Sequence, residues 1–245
     1  ERMPDIELRP TLCAICGAGE NAAELYPANF DMGAFNPAVF SARRSPDRIH
    51  YRIVKCVKCG LVRSDPVADP QTLARLYSQS TLDYSSEIPN LKATYGRYLA
   101  RAAKYRGRKE TLLEIGCGSG FFLEEALSRG YAGVYGVEPS SAAVSHAGPA
   151  VRPGISVGVM RPGLFGEGQF DIVCMFQTLD HMPVPCGLLE ECGRILRPGG
   201  LVLAQALNIL EALPSQGGEE AERTHYRVEA LRRAYQDRAR YLGDP

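Results

Sequence analysis

The chain has 245 residues, 45% hydrophobic and 23% charged, and its 28 Lys and Arg balance 28 Asp and Glu to a net charge of zero. Such proportions exclude disordered and fibrous classes, and the charge balance argues against a chain living mainly on nucleic acid or an anionic membrane. Apolar runs such as 172–176 fall far short of the ~20 residues that span a bilayer, and Glu1-Arg-Met-Pro-Asp carries no apolar signal core. A cytoplasmic location is therefore expected, with no membrane contact and with the eight cysteines as thiols or metal ligands.

Four cysteines come early, as Cys13-x-x-Cys16 and Cys56-x-x-Cys59. Two thiolates three residues apart on a tight turn reach one tetrahedral ion, and two such turns supply a closed four-sulfur shell. That is the ligand set of a structural Zn2+. Gly17 and Gly60 directly follow the pairs and suit knuckle turns. The 39 residues between Cys16 and Cys56 must bulge out as a loop. A redox pair or plain buried thiols are the alternatives. His50, outside the paired turns, reads as a loop or substrate-side residue. Residues 1–66 are assigned to this zinc-binding module.

Pro66 and Pro70 mark its exit, and Asp69-Pro70 predicts the cap and first position of a helix running through Leu73, Leu76 and Tyr77. A longer helix is expected over 88–106, with Leu91, Tyr95, Tyr98, Leu99 and Ala102 on one face. Residues 67–110 thus form a helical linker or lid. Tyr84, Tyr95 and Tyr98 either close over a site or pack as core.

From residue 111 strands and helices alternate. Strands are predicted at 111–116, 132–137, 155–160, 170–176 and 200–207, and helices at 119–129, 140–147 and 184–196. This grammar means βαβ units: an α/β fold with a doubly wound, mainly parallel, Rossmann-like sheet over 111–245, beside the small N-terminal module. A charged amphipathic helix is expected over 219–242. No strand pair is evident after Leu207, so the sheet edge is open, covered by the last helix, or completed by a partner protein or a second copy.

Gly116, Gly118 and Gly120 stand between the first strand of this region and its helix, as G-x-G-x-G. Glycines there let a ligand approach backbone N–H groups at a helix N-terminus. Glu138 ends the next strand, 22 residues after Gly116, where one carboxylate can hold both hydroxyls of a ribose.

The segments LLEIGCGSGFF, YGVEPS, FDIVCMFQTLDHM and ILRPGG, in that order and spacing, resemble the motifs of class I S-adenosylmethionine-dependent methyltransferases. The resemblance covers about residues 85–207. It implies that Glu114, Gly116, Cys117, Gly118 and Gly120 hold the methionine half of S-adenosyl-L-methionine, and that Glu138 takes the ribose, with Pro139 and Ser140 near the adenine. Phe176 and Gln177 would lie beside the methionine moiety and the reacting face. The family's frequent third-strand Asp is missing from Ser156-Val-Gly-Val-Met160, so adenine recognition falls to backbone groups and apolar contact, with Met160 a candidate.

Two C-x-x-C pairs followed by CGLVRSDPVADPQTLARLY are similar to a subset of these enzymes that includes sugar C-methyltransferases, implying a small-molecule acceptor methylated on oxygen or carbon. Such acceptors lose a proton, which calls for a base. Asp180-His181, just after the fourth strand, is the best-placed pair, because strand carboxyl ends line the crevice of such sheets. His181 capping the loop is the bland alternative. The basic stretch 43–63, with Arg43, Arg44, Arg48, Arg52, Lys55, Lys58 and Arg63, suggests RNA as a second acceptor class. A non-catalytic partner subunit is the third reading.

Overall fold

The structure is a computed structural model that describes residues 7–29, 50–79, 85–105, 109–179, 182 and 185–205. The predicted helix at 219–242, Tyr84, Asp180 and His181, and Arg43, Arg44 and Arg48 all lie outside the described residues.

The N-terminal module is built from β1 (Leu8–Arg9), β2 (Ala22–Tyr26), β3 (Ile53–Cys56), β4 (Val62–Ser64) and β5 (Val67–Ala68). β2, β3 and β4 form an antiparallel sheet, and β1 pairs antiparallel with β5. Asp65 pins the module together. Its carboxylate accepts from Thr11 N at 2.6 Å and from Arg52 Nη2 at 2.9 Å. Burial works against that charge, but these hydrogen bonds and the nearby Arg63 hold the Asp65 carboxyl below its ordinary range.

Helix α1 (Pro70–Ser78) starts as its sequence demands: Asp69 is extended, and its carboxylate accepts from Gln71 N at 3.0 Å and Thr72 N at 3.1 Å. Leu76 and Leu73 pack with Ala68, Leu8 and Tyr51. The first part of the predicted 67–110 linker therefore packs onto the N-terminal module, because Val67 and Ala68 find their strand partners at Arg9 and Leu8.

The larger unit runs α2 (Ile88–Ala102), β6 (Thr111–Ile115), α3 (Phe121–Ser128), β7 (Gly133–Glu138), α4 (Ser141–Ser145), β8 (Ile155–Val157), β9 (Phe170–Phe176), α5 (Pro185–Ile195) and β10 (Leu196–Gln205). Its five strands are all parallel, in the order β10-β9-β6-β7-β8. Every residue of β9 is buried, as expected of a strand covered on both faces. Ile172, Cys174 and Phe176 face Leu91, Tyr95, Leu99 and Phe122 of α2 and α3. Val173 and Met175 face Leu188, Cys192 and Ile195 of α5. At the amino edge the buried Asp171 accepts from Thr111 N at 3.0 Å and Glu110 N at 3.1 Å and pairs with Arg197 at 3.2 Å, tying together the starts of β6, β9 and β10. The two units touch where Cys186 Sγ, at the head of α5, donates to Ala14 O at 2.9 Å.

Candidate functional site

The strand order reverses between β6 and β9, and the crevice outside their carboxyl ends is where open α/β sheets bind ligands. The glycine loop leaves β6 into that crevice. Gly116, Gly118 and Gly120 take φ of 79°, 52° and 73°, the left-handed region, but they serve different ends. A Cβ on Gly116 would lie 2.5 Å from Thr178 Oγ1, and one on Gly120 would lie 3.0 Å from Ile155 Cδ1. A Cβ on Gly118 would meet nothing within 4 Å. The outer two glycines let the protein close on itself, and Gly118 faces open space.

Two carboxylates flank this space. Glu138 reaches across from β7: its Oε2 accepts from Gly118 N at 2.9 Å and its Oε1 from Ser140 N at 2.8 Å. Burial raises its pKa, against the pull of those two N–H groups. Ser140 also caps α4 through Ala143 N at 3.1 Å, so the Glu138-Pro139-Ser140 turn is held rigid beside the loop. Glu114 is 2% exposed, and its Oε2 has no hydrogen-bond partner among the described residues. Burial, reinforced by the Glu138 charge, pushes its carboxyl well above the ordinary range. A buried acid with an orphan oxygen beside an open glycine suits a ligand that brings a cationic or N–H donor.

The Cys117 thiol does not face the crevice. It packs over β7, where a Cβ on Gly136 would sit 2.5 Å from its sulfur, and burial pushes its pKa far up. Its backbone N–H donates to Val137 O at 3.2 Å. Met160 is half-buried against the Leu113 and Met175 side of the core, and Gly158 N donates to Glu138 O at 2.9 Å.

Phe176 and Gln177 separate at the end of β9. The Phe176 ring is buried, edge-on to Phe122 at 4.7 Å and stacked on Tyr95. Gln177 is exposed at the carboxyl edge with φ of 51°, and its N–H donates to Gln205 O at 2.9 Å. Sequence reasoning missed Thr178, which is buried against Gly116 and donates to Phe176 O at 3.0 Å. Only the tight approach at Gly116 reveals it. Tyr98 is partly buried against the same core as Tyr95.

In the N-terminal module the Sγ atoms of Cys13, Cys16, Cys56 and Cys59 all lie within 4.8 Å of one another. The turns form as the glycines require: Gly17 N donates to Cys13 O at 2.8 Å and Gly60 N to Cys56 O at 2.9 Å, with φ of 70° and 81°. Four convergent thiols at this separation fit a tetrahedral zinc shell. His50 is not among them; its Nδ1 lies 2.7 Å from Tyr51 O. Of the basic stretch, Arg52 is engaged by Asp65, and Arg63 donates to Thr11 and Gly19 O. Lys55 and Lys58 are exposed.

A five-stranded parallel sheet with a glycine loop at its switch point and an acid at the tip of the next strand defines a Rossmann-like, nucleotide-type site. A family model described as a methyltransferase domain matches residues 88–239, more than half of the chain, and the chain belongs to that family of class I S-adenosylmethionine-dependent methyltransferase domains.

Among curated relatives, the ubiquinone biosynthesis O-methyltransferase of Nitrosococcus oceani is 32% identical over 117 residues, 45% of this chain and 48% of that protein. An uncharacterized methyltransferase of Mycobacterium marinum is 33% identical over 156 residues, 62% of this chain and 57% of that one. The chain spans about half the length of the curated relatives it matches. Among solved structures, DesVI of Streptomyces venezuelae aligns at 19% identity and TM-score 0.41, covering 54% of this chain and 61% of that one. Geranyl diphosphate C-methyltransferase of Streptomyces coelicolor A3(2), solved with S-adenosyl-L-homocysteine, aligns at 20% and TM-score 0.36, covering 46% and 42%.

Proposed function

We propose that this chain transfers a methyl group from S-adenosyl-L-methionine to a small-molecule acceptor, on oxygen or carbon, and that its four early cysteines hold a structural Zn2+. The observation that carries the methyl-transfer reading is the open face of Gly118 beside half-buried Glu138 and buried Glu114, whose Oε2 has no hydrogen-bond partner among the described residues. The cofactor supplies an activated electrophilic methyl group. The chain has to bind it, align a nucleophile and exclude water. Glu114 suits the methionine ammonium, the N–H groups of the glycine loop its carboxylate, and Glu138 the ribose hydroxyls. His181, oriented by Asp180, is proposed as the base that takes the acceptor's proton. Losing it should lower turnover by ~10²–10⁴ while cofactor affinity holds.

RNA is the weaker acceptor class, since Arg52 and Arg63 are spent on internal partners. The deciding experiment incubates the purified protein with methyl-labelled cofactor and a cell extract divided into small-molecule and RNA fractions. Label in the small-molecule fraction supports this reading, and label confined to RNA overturns it. Failure to bind the cofactor at all would point to a non-catalytic subunit.

A further inference from the structure

Gln177 is the one non-glycine residue with a left-handed backbone among the described residues, at φ of 51°. L residues with long side chains rarely adopt this conformation, and it persists only where the surroundings impose it. Here they do. On one side the Gln177 N–H is tied to Gln205 O at the end of β10, at 2.9 Å. On the other, Thr178 Oγ1 donates to Phe176 O at 3.0 Å, and the Phe176 ring is fixed against Tyr95 and Phe122. Glycine would take this backbone freely, so glutamine's side chain is what the strain presents: an exposed amide at the carboxyl edge.

The position is also one-sided. Gly118 follows β6 and Glu138 ends β7, whereas Gln177 follows β9 and is tied to β10, on the opposite flank of the switch point. Resting on the methyl-transfer reading above, we infer that Gln177 is a specificity residue for the acceptor rather than a cofactor ligand, and that the acceptor is an uncharged molecule presenting a hydroxyl together with a carbonyl or second hydroxyl. A primary amide offers both an acceptor oxygen and N–H donors without charge. It can therefore bridge two neighbouring oxygens and fix which one meets the methyl group.

The test compares Gln177→Gly, Gln177→Asn and Gln177→Leu with the parent protein. The readouts are thermal unfolding, calorimetric affinity for S-adenosyl-L-methionine, and transfer of labelled methyl to the small-molecule fraction of a cell extract. Gln177→Gly should unfold at a higher temperature, since it releases the left-handed strain, and keep cofactor affinity within about twofold. Its kcat/KM on the labelled acceptor, once isolated, should fall at least about tenfold, mainly through KM, as when a site built for hydrogen bonding loses its partner. Gln177→Asn should keep more activity than Gln177→Leu. A cofactor affinity about tenfold weaker in all three variants would make Gln177 a cofactor ligand and overturn the inference, as would unchanged kcat/KM in Gln177→Leu. If the parent protein itself labels no small molecule, the methyl-transfer reading fails first, and the acceptor role falls with it.

Discussion

Tyr95 lies flat against Phe176, ring centroids 4.0 Å apart and planes within 7°. One ring comes from the helix before the sheet, the other from the last residue of β9, and both are buried. The pair braces the end of β9 from below rather than closing over the crevice. Tyr95→Ala should therefore cost about 3–5 kcal/mol of unfolding free energy in a urea titration, the range for truncating a buried aromatic ring. Tyr95→Phe, which keeps the stack, should cost far less. A Tyr95→Ala protein as stable as its parent but slow in methyl transfer would return Tyr95 to the role of a lid.

The glycine loop permits a clean separation of folding from binding. Gly116→Ala drives a Cβ into Thr178 and should destabilise the protein markedly. Gly118→Val meets open space and should lose only the ~1–2 kcal/mol of a left-handed backbone, yet it fills the path proposed for the cofactor. Calorimetry should find no measurable cofactor binding by a Gly118→Val protein whose circular dichroism remains that of the parent. Normal affinity in this variant would remove the glycine loop from the site.

Glu114 gives the protein an acid-favoured stability. Its pKa in the fold stands well above the ordinary 4.5, so the folded state holds a proton that the unfolded chain releases. The resulting stability is fully present below pH 4.5 and is lost as pH rises through the raised folded value, at a slope of up to about 1.4 kcal/mol per pH unit. Glu138, raised in the same direction by burial, adds to the trend. Chemical denaturation in the absence of cofactor, from about pH 4.5 to about pH 8, should show Glu114→Gln losing much of the slope and exceeding the parent at neutral pH. The same variant should bind cofactor less tightly. A parallel pair of pH curves would contradict the assignment of Glu114 as a buried, protonated acid.

Metal analysis should find one zinc per chain. The double variant Cys56→Ser, Cys59→Ser should release it and loosen the β2–β3–β4 sheet, seen as faster amide exchange at residues 22–26 and 53–56. Retention of zinc by the double variant would overturn the four-thiol site.

Much of this was legible in the chain because the determinants are local. Asp69-Pro70 announces a capped helix, the alternation after residue 111 announces a parallel sheet, and a carboxylate at a strand tip 22 residues past a glycine announces an acid that meets the glycine loop. What was not legible depends on residues that meet only after folding. Whether Tyr95 is lid or core depends on a phenylalanine supplied by the fourth strand of the sheet. Thr178 lies within the FDIVCMFQTLDHM segment without standing out in it, and its packing role exists only where it lands on Gly116. Pro66 and Pro70 look like the end of a module, yet Val67 and Ala68 pair with Arg9 and Leu8, a contact no local pattern encodes. The strain at Gln177 is equally silent in sequence, since nothing about glutamine predicts a left-handed backbone.

The hydrogen bond from Cys186 to Ala14 has a bearing on how such an enzyme comes to be ready for work. Ala14 sits between Cys13 and Cys16, and Cys186 opens the helix that leaves the carboxyl edge of the sheet. The thiol turn is therefore joined directly to the helix that follows β9. If the proposed Zn2+ is what sets that turn, metal delivery would reach the helix packed on the sheet as well as the cysteines, and would count as a step in the enzyme's maturation.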